Sequence, residues 1–439
     1  MPTPVSISRG MRDVLPEEQA YWSLIQEVAK TRLQSFSFQR IDTPIIESQE
    51  LYLRGVGATS DIVEKELFGV GRVGTRATQL DAGDRDLVLR PEATAGIVRA
   101  YIEHGMHTRP QPVKLYTFSQ NFRYDRPQKG RYRQHTQLSV EVLGDGSPLT
   151  DAMTILALWQ ILQDLGLDQD AVIELNSIGE EKSREKMRAA LQAYYRPHLS
   201  ELSEDSQRRF EANPLRLLDS KAEADLKLRE NAPQIIDFLD DESRAHFMLV
   251  LEYLDEAGVP YDLNPYLVRG LDYYSRTVFE IRERGDEARQ AVLAAGGRYD
   301  ALVELLGGRP TPAFGFGLGI ERIVGKLQEK GIPAPAQLTT QVLIIQLGDR
   351  AKKKAIPLLV SLGKKGLAAS MALGKESLKA QLRSAHKMGA ILALIVGERE
   401  AIDGTIIVRN MKDSTQETVD FADIETVIER KLAELSEEA

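Results

Sequence analysis

A short basic segment, NFRYDRPQKGRYR at residues 121–133, carries the clearest chemical signal in this sequence. It holds five basic side chains and one acidic side chain, in a chain whose formal net charge is −9. The proline and glycine of DRPQKG predict a loop, and the extended runs on both sides predict a β-hairpin. Arginine binds phosphate through two parallel hydrogen bonds, so the segment suits phosphate recognition. A surface hairpin with solvated charges is the alternative.

The strand after this loop is predicted to be polar on one face and apolar on the other, because neighbouring strand residues alternate. The polar face comprises Arg131, Arg133, His135, Gln137, Ser139 and Glu141. The apolar face comprises Leu138, Val140 and Val142, which we expect to pack on a core. The polar face therefore suits a ligand with phosphates at one end and an amine or a polar ring at the other.

Two further segments place polar residues at chain junctions. RPEATAG (90–96) puts Glu92 and Thr94 between a strand and a helix, where they either bind a substrate amine or cap the helix and complement its dipole. LVRGLDYYSRTVFE (267–280) offers Arg269 beside a glycine that permits close approach of a ligand, followed by Tyr273 and Tyr274. Because adjacent strand residues point to opposite faces, we expect at least one of these tyrosines to be buried.

The glycine-rich segment TPAFGFGLGIERIV (311–324) predicts a strand, a turn and a helix. Gly315, Gly317 and Gly319 either admit a flat ring against the backbone or form a tight packing turn. Arg322 near the helix start favours phosphate. The segment is neither a GxxxxGK[ST] phosphate loop nor a dinucleotide turn. The six histidines show no metal-ligand spacing.

These residues need a scaffold of strands and helices. A helical pattern follows Pro16, and FQRIDTPIIES (38–48) predicts a strand that contains Pro44, which places it at an edge or an interface. Further strands are predicted at 87–91, 113–122, 136–144, 171–179 and 273–281, and helices at 93–104 and 151–165. Hairpin-type links between the strands favour an antiparallel sheet flanked by helices.

The remaining segments differ from these in composition and periodicity. Residues 180–256 are charged, periodic and poor in strand signals, which predicts a helical insertion. The connector GIPAPAQ (331–337) marks a boundary. Beyond it, strands and helices alternate as in a small α/β domain with a mainly parallel sheet, and a final helix begins at Phe421. Segment 350–390 holds ten basic residues and one acidic residue, which predicts a nucleic-acid-binding face.

Length and composition set the outer limits. A chain of 439 residues predicts roughly two to four domains. No stretch approaches the roughly 18–20 apolar residues of a membrane span, and the N-terminus lacks the pattern of a secretory signal, so we expect a soluble cytoplasmic protein with no membrane partner. The absence of cysteine excludes disulfides, thiolate catalysis and cysteine-ligated zinc. The acidic net charge argues against indiscriminate nucleic-acid binding.

Several motifs, in this order, resemble those of the histidyl-tRNA synthetases, which are class II aminoacyl-tRNA synthetases. They are VEKELF (63–68), LRPEATAG (89–96), FRYDRPQKGRYRQ (122–134), LVRGLDYYSRTVFE (267–280) and AFGFGLGIER (313–322). FRYDRPQKGR is similar to class II motif 2, GFGLGIER to motif 3, and the region around Pro44 to the dimer-forming motif 1. LVRGLDYY and GGRYDALVE resemble the two histidine-specific motifs. The resemblance covers essentially the whole chain.

The resemblance implies an α+β fold, with a class II antiparallel-sheet catalytic core at 1–179 and 257–330. It further implies a helical insertion domain at 180–256, a linker at 331–337 and an α/β anticodon-binding domain at 338–439. The implied reaction joins L-histidine to ATP as histidyl-adenylate, releases pyrophosphate, and transfers the histidyl group to tRNA(His) with release of AMP. Mg²⁺ is expected with ATP, without assigned ligands. A homodimer is expected.

The family's functional residues map onto matching positions of this chain. Arg123 and Arg269 correspond to the arginines that approach the α-phosphate, and Arg131 and Arg322 to those that hold the outer phosphates. The expected ligands of histidine are Glu92, Thr94 and Gln137 for the ammonium group and Glu141 and Tyr274 for the imidazole, with Tyr273 beside them. Arg126 and Gln128 resemble residues that meet the tRNA acceptor end. The basic patch expected in the anticodon-binding domain comprises Lys364, Lys365, Lys375, Lys379 and Arg383.

The sequence departs from the family pattern at a few positions. Ala93 and Ala301 stand where many relatives have glycine, and HTQLSVE replaces the commoner run before Glu141. Ser139 falls on the expected pocket face, where it either narrows the site or adds a hydroxyl. One alternative is the regulatory subunit of ATP phosphoribosyltransferase, which typically lacks the full arginine set and the anticodon-binding domain. A prolyl or threonyl synthetase is the other, and LVRGLDYY with Glu141 argues against it.

Overall fold

The computed structural model describes residues 4–57, 60, 62–71, 86–127, 130–211, 213–271, 273–285, 292–335 and 340–437. For residues 436 and 437 it describes the backbone alone. The chain divides into two compact units, Met1–Ala334 and Pro335–Ala439. The predicted linker at 331–337 spans this division, and its residues 336–337 lie outside the described residues. Across the described part of the chain, no helix is both long and apolar enough to cross a membrane.

The first unit combines helices with two sheets. Its helices are α1 (Pro16–Ser35), α2 (Gln49–Gly55), α3 (Thr94–Glu103), α4 (Pro148–Asp164), α5 (Glu181–Tyr195), α6 (Glu204–Arg209), α7 (Glu223–Arg229), α8 (Asp241–Glu256), α9 (Leu302–Leu305) and α10 (Ile320–Glu329). Its strands are β1 (Gln39–Arg40), β2 (Ile46–Ser48), β3 (Phe68–Val70), β4 (Leu87–Leu89), β5 (Val113–Phe122), β6 (Gln134–Leu143), β7 (Ala171–Ser177), β8 (Tyr261–Leu263), β9 (Ser275–Glu283), β10 (Val292–Arg298) and β11 (Ala313–Gly319).

The large sheet has the strand order β1-β5-β6-β11-β10-β9-β7-β8. Its successive pairings from β5 to β7 are antiparallel, and parallel pairing occurs at the two edges, β1 with β5 and β7 with β8. The predicted antiparallel sheet is therefore confirmed. Leu138, Val140 and Val142 of β6 belong to a buried core that also contains residues of α1, α4 and α10. The opposite face of β6 is thereby free to carry polar side chains.

The predicted continuous strand around Pro44 is wrong. The segment contains two short strands, β1 and β2, which belong to different sheets, and β2 joins a small sheet in the order β2-β4-β3. Proline has no backbone N–H to donate to a ladder, so the strand is interrupted there. The guanidinium of Arg90 bonds to the carbonyl oxygens of Thr43 (2.9 Å) and Pro44 (3.4 Å) instead.

The segment 180–256 is helical, as its composition predicts, and contains α5 to α8. It does not stand apart from the sheet. Leu191, Phe210 and Leu217 of this segment share one buried hydrophobic cluster with Tyr273 and Tyr274. The division of the first unit into a catalytic core and a separate insertion domain stays a prediction.

The second unit is an α/β layer structure. Its strands are β12 (Val342–Gln346), β13 (Ala369–Met371), β14 (Leu392–Val396), β15 (Thr405–Asn410) and β16 (Gln416–Asp420), and its helices are α11 (Asp349–Lys364), α12 (Leu378–Lys387), α13 (Glu398–Asp403) and α14 (Ile424–Glu437). The sheet order is β13-β12-β14-β15-β16. Strands β13, β12 and β14 are mutually parallel as predicted, whereas β15 and β16 pair antiparallel because a short turn joins them. Helix α13 and strand β16 were not predicted, and the last helix begins at Ile424 rather than Phe421.

Candidate active site

Glu141, on the polar face of β6, is the centre of a buried hydrogen-bonded group. Glu141 is 1% exposed to solvent. The hydroxyl of Thr94 donates to one carboxylate oxygen over 2.7 Å, and the hydroxyl of Tyr299 donates to the other. Burial raises the pKa of Glu141 to about 8, the nearby Glu92 carboxylate adds to this, and the two hydroxyls oppose it. The sequence prediction did not include Tyr299, although this residue lies within the histidine-specific GGRYDALVE motif.

Glu92 lies two positions before the first residue of helix α3 and caps this helix. Its carboxylate accepts hydrogen bonds from the backbone N–H of Thr94 (2.6 Å) and of Ala95 (3.0 Å), two of the groups that a helix start leaves unpaired. The hydroxyl of Thr94 is consequently free to bond to Glu141. Burial raises the pKa of Glu92, and the hydrogen bonds at the helix start and the charge of Arg123 oppose it. The helix-cap interpretation of Glu92 is confirmed, and the binding of a substrate amine by Glu92 and Thr94 stays a prediction.

Glycines on β11 leave the space that two of these side chains occupy. Gly315 lies opposite Glu141 and Gly319 opposite Gln137 in the sheet register. A Cβ atom on Gly315 would stand 1.8 Å from Glu141 Oε2, and one on Gly317 would stand 1.9 Å from Gln137 Nε2. At Gly315 the same Cβ would stand 2.5 Å from the carbonyl oxygen of Val140, so only glycine fits there, while at Gly317 the Gln137 side chain would have to move. Strand β11 runs directly into α10, so the predicted turn between them is wrong, and the approach of a flat ligand ring to these glycines stays a prediction.

Gln137 and Ser139 continue the polar face toward the loop. The amide oxygen of Gln137 accepts a hydrogen bond from Asn121 Nδ2 at 3.1 Å, which orients the amide. Ser139 is buried and lies between Thr117 of β5 and Gly317 of β11. The two alternatives for Ser139, a narrowed site or an added hydroxyl, stay predictions.

Tyr273 and Tyr274 are both buried, and their ring centroids are 4.7 Å apart. They precede β9, which begins at Ser275, so the alternation of a strand does not separate them. The ring of Tyr299 lies 5.6 Å from that of Tyr273. Burial raises the pKa of each of these phenols, so they stay protonated and act as hydrogen-bond donors near neutral pH. The three rings form an aromatic wall beside Glu141.

A cluster of positive charge occupies the loop end of the same strand. Burial, together with the positive charges of Arg123, Arg322 and Arg131, lowers the pKa of His135 to about 3. Burial also lowers the pKa of Arg322, with added repulsion from Arg131 and Arg123. Arg123 Nε donates to the carbonyl of Pro91 at 2.9 Å, which ties the cluster to the RPEATAG segment. Like charges gathered at one point favour an anionic ligand.

The loop residues are arranged less regularly than the period-two pattern predicts. Because β6 begins at Gln134, Arg131 and Arg133 precede the strand and do not continue its polar face. Arg131 forms an ion pair with Asp125 at 2.6 Å, and Arg133 stacks on the ring of Tyr124 at 3.7 Å. Arg126 is exposed. Gln128 lies outside the described residues.

Arg269 approaches from the segment before β9. It forms an ion pair with Glu280, and its guanidinium lies 5.8 Å from the ring of Tyr274. Arg282 Nη2 holds the other oxygen of Glu280 at 2.7 Å. Burial disfavours the charge of Arg269, but the Glu280 carboxylate and the neighbouring Tyr274, Asp219 and Tyr273 together raise its pKa above the usual value. The sequence prediction did not include Glu280, which the segment YYSRTVFE already contained.

The predicted basic patch of the second unit is divided between two faces of its sheet. Helix α11, with Lys364 and Lys365 at its end, packs on one face, and α12, with Lys379 and Arg383, packs on the other. Lys375 precedes α12. Lys365 Nζ is 3.0 Å from both Glu425 and Glu429. The five residues therefore do not form one continuous surface.

Comparisons with known proteins identify the family of this chain. Residues 10–323 match the family model of histidyl-tRNA synthetase, and residues 341–431 match that of an anticodon-binding domain. The chain is 44% identical to a histidine–tRNA ligase of Dehalococcoides mccartyi over 94% of this chain and 96% of that protein. It is 42% identical to the histidine–tRNA ligase of Desulforamulus reducens, over 95% of this chain and 97% of the relative.

A solved structure extends the comparison to the fold. The crystal structure of apo S. aureus histidyl-tRNA synthetase covers 97% of this chain and 99% of its own, with a TM-score of 0.77 and 33% identity. Together with the family models, these similarities establish that this chain is a member of the histidyl-tRNA synthetase family.

Proposed function

We propose that one face of β6 holds L-histidine and ATP end to end, and that the residues on this face activate histidine for transfer to tRNA(His). Family membership makes the chain a histidine–tRNA ligase that uses ATP. One observation carries the assignment of residues. The same strand has a buried carboxylate whose pKa is about 8 at one end and the arginine cluster at the other. The seven residues from His135 to Glu141 span about 20 Å, enough for an amino acid joined to a nucleotide.

The closed end of the face is proposed to read histidine. Glu141 and Tyr274 pair with the two imidazole nitrogens, and Glu92, Thr94 and Gln137 hold the ammonium group. A carboxylate has lone pairs for more than the bonds that Glu92 and Glu141 already accept. Buried polar groups reject a ligand that leaves them unpaired, by factors of roughly 10⁴ or more.

Tyr273 and Tyr299 support the imidazole subsite without pairing with the ring. Tyr273 packs beside Tyr274. Tyr299 fixes the carboxylate of Glu141. Their removal should therefore weaken histidine recognition through the groups that they hold.

The open end is proposed to hold the phosphates. A carboxylate oxygen of histidine attacks the α-phosphorus of ATP, the bond to the bridging oxygen breaks, and pyrophosphate leaves with the electron pair. Arg123 and Arg269 neutralise the charge that develops on the α-phosphate, while Arg131 and Arg322 hold the outer phosphates. Such a step depends on positioning and charge neutralisation rather than on a protein nucleophile.

Mg²⁺ is proposed to arrive with ATP. Among the described residues, no group of three or more acidic or histidine side chains is placed to hold a metal ion. This fits a magnesium ion that takes most of its ligands from phosphate oxygens and water. When bound, the ion would neutralise part of the pyrophosphate charge.

Two surfaces are proposed to meet tRNA(His). Arg126 and Gln128 contact the acceptor end. In the second unit, Lys379 and Arg383 on α12, with Lys375, and Lys364 with Lys365 at the end of α11 contact the anticodon region from two faces. Phosphate contacts by lysine and arginine make such binding sensitive to salt.

A homodimer in the cytoplasm is proposed as the working form. Ile45 and Ile46, next to Pro44, are 41% and 45% exposed. Exposed apolar side chains grouped on an edge strand are typical of an interaction surface. Light scattering on the purified chain should give twice the 49.0 kDa chain mass. Cell fractionation should place the protein with the translation machinery, which consumes charged tRNA.

Pyrophosphate exchange tests the assignment. The purified chain should exchange labelled pyrophosphate into ATP only when histidine is present, and Arg269→Ala should abolish the exchange. Arg208→Ala, which changes an exposed arginine of the insertion, serves as the control and should exchange normally. Equal exchange with proline, or full exchange by Arg269→Ala, would refute the proposed site.

A further inference from the structure

The segment that carries Arg269 belongs to neither a helix nor a strand. It joins β8 to β9, and residues 264–271 have no regular structure. A buried asparagine of the large sheet holds its backbone instead. Asn176 Nδ2 of β7 donates to the carbonyl oxygens of Leu267 (2.9 Å) and Pro265 (3.3 Å). The backbone just before Arg269 is therefore tied to the sheet, although it does not belong to it.

The side chain of Arg269 depends on a single carboxylate. Its Nη1 donates to Glu280 Oε1, and among the described residues this is the only hydrogen bond that the Arg269 side chain makes. Glu280 is itself buried, with 8% of its surface exposed. A long side chain loses its rotational freedom only where its end is held. Glu280 is thus the residue that fixes the direction of the Arg269 guanidinium.

Glu280 is fixed in turn by Arg282, two positions further along β9. Residues two apart in a strand point to the same face of the sheet. Arg282 Nε and Nη2 both donate to Glu280 Oε2, over 3.0 and 2.7 Å. Each oxygen of the Glu280 carboxylate therefore serves a different arginine, and the carboxylate cannot turn toward one of them without losing the other.

A second carboxylate on the neighbouring strand completes the arrangement. Glu174 of β7 lies directly opposite Glu280 in the sheet register, where like charges repel. Arg282 Nη2 lies 3.3 Å from Glu174 Oε2 and so separates the two carboxylates. Asn264 Nδ2 donates to the same oxygen of Glu174 at 2.6 Å. The charge row, which comprises Arg269, Glu280, Arg282 and Glu174, thus ends on the first residue of the segment that carries Arg269.

We propose that Glu280 is a positioning residue for the adenylation step, because it holds the guanidinium of Arg269 in the orientation that meets the α-phosphate of ATP. The inference rests on the proposed role of Arg269. Buried ion pairs contribute little net stability, since desolvation offsets their attraction, but they do fix the geometry of the groups involved. A displacement of about 1 Å in a catalytic group can cost about 10²-fold in rate. Loss of Glu280 should therefore slow the reaction without weakening the binding of histidine.

The same strand offers a matched control. Glu283, the last residue of β9, forms an ion pair with Lys326 of α10 and not with an arginine of the charge row. Glu283→Gln should therefore exchange pyrophosphate normally. Removing the charge of one partner in a buried ion pair is destabilising, so Glu280→Gln is accompanied by Glu280→Asp. The aspartate keeps the charge and draws the carboxylate back from Arg269 by a methylene group.

Histidine-dependent pyrophosphate exchange by the full-length chain tests the inference, at a temperature where circular dichroism shows each variant to be folded. Glu280→Gln and Glu280→Asp should each lower kcat by about tenfold or more, with the KM for histidine unchanged. Calorimetric titration with histidine in the absence of ATP should give the wild-type Kd for both. In the Arg269→Lys background, Glu280→Gln should have a much smaller effect, because the group that it positions is already altered.

The outcomes separate the two proposals. Full exchange by Arg269→Ala would refute the proposed function. Loss of exchange in Arg269→Ala with normal kcat in the Glu280 variants would overturn the positioning role alone. A rise in kcat would also overturn it, because the carboxylate would then withhold Arg269 from the phosphate. So would independent, multiplicative effects of Glu280→Gln and Arg269→Lys, or a weakened Kd for histidine in both Glu280 variants, which would indicate a disturbed pocket.

Discussion

Replacement of Glu141 by glutamine tests whether the buried carboxylate carries a proton before histidine binds. Burial raises its pKa from the ordinary 4.5 to about 8 in the folded chain. Between these values the folded state binds more protons than the unfolded state, so raising the pH removes stability. Glutamine keeps the size of the side chain and can bond to both Thr94 and Tyr299, but it does not titrate.

The size of the effect follows from the two pKa values. From pH 5 to pH 7 an unfolded glutamate is mostly ionised, while Glu141 in the folded chain stays mostly protonated, which costs about 2–3 kcal/mol of stability. In a unit of this size, 1 kcal/mol corresponds to roughly 2 °C in Tm. The Tm of the wild-type chain should therefore fall by about 5 °C relative to Glu141→Gln between these two pH values. Glu92, whose pKa burial also raises, is present in both proteins, so the comparison isolates the titration of Glu141 together with its coupling to Glu92.

Calorimetry of the two proteins in matched buffers measures this difference directly. Glu27→Gln, which changes an exposed side chain of α1, should follow the wild-type pH dependence. Added histidine should raise the Tm of the wild-type chain and have little effect on Glu141→Gln, whose neutral amide cannot replace the carboxylate opposite the imidazole. Parallel Tm curves for wild type and Glu141→Gln from pH 5 to pH 8 would refute the buried, protonated state of Glu141.

Other changes probe the support of the site and the tRNA surface. Tyr299→Phe leaves an oxygen of a buried carboxyl group unpaired, at a cost of about 1–3 kcal/mol, and should raise the KM for histidine more than that for ATP in pyrophosphate exchange. Gly317→Ala should sharply reduce the same exchange, because the new methyl group would stand 1.9 Å from the Gln137 amide, whereas Gly325→Ala meets nothing within 4 Å and should exchange normally. Lys379→Gln should weaken tRNA binding and reduce its salt dependence, measured by filter binding, more than Lys365→Gln does, because Lys365 is already paired with two glutamates.

The parts of the site that depend on local chemistry could be predicted from the sequence. The strand at 113–122 has the predicted bounds, because a regular period of two and a turn with proline and glycine are local signals. The same pattern failed just before β6, where Arg133 stacks on Tyr124 rather than continuing the polar face of that strand. A strand begins where its ladder begins, and the ladder depends on a partner strand that the sequence does not identify.

The missed contacts are those between residues that are distant in the chain. Tyr299 reaches Glu141 across 158 positions, and only the order of the strands brings them together. The need for glycine opposite Glu141 likewise follows from the register of β11 on β6.

The buried state of Glu141 also bears on how the site chooses its ligand. Ionising this buried carboxyl group is unfavourable even with the Thr94 and Tyr299 hydroxyls bonded to it, as its raised pKa indicates, so we expect the ligand to supply a further hydrogen-bond donor or a positive charge. Imidazole supplies either, depending on its protonation, whereas an aliphatic side chain supplies neither. Glycine at position 315 leaves the room that the Glu141 carboxylate occupies. A substitution at Gly315 should therefore also alter which ligand the site accepts. We therefore expect neutralisation of Glu141 to reduce both the selectivity for histidine and the pH dependence of stability. A Glu141 variant that lost its selectivity but kept the pH dependence, or the reverse, would contradict this account.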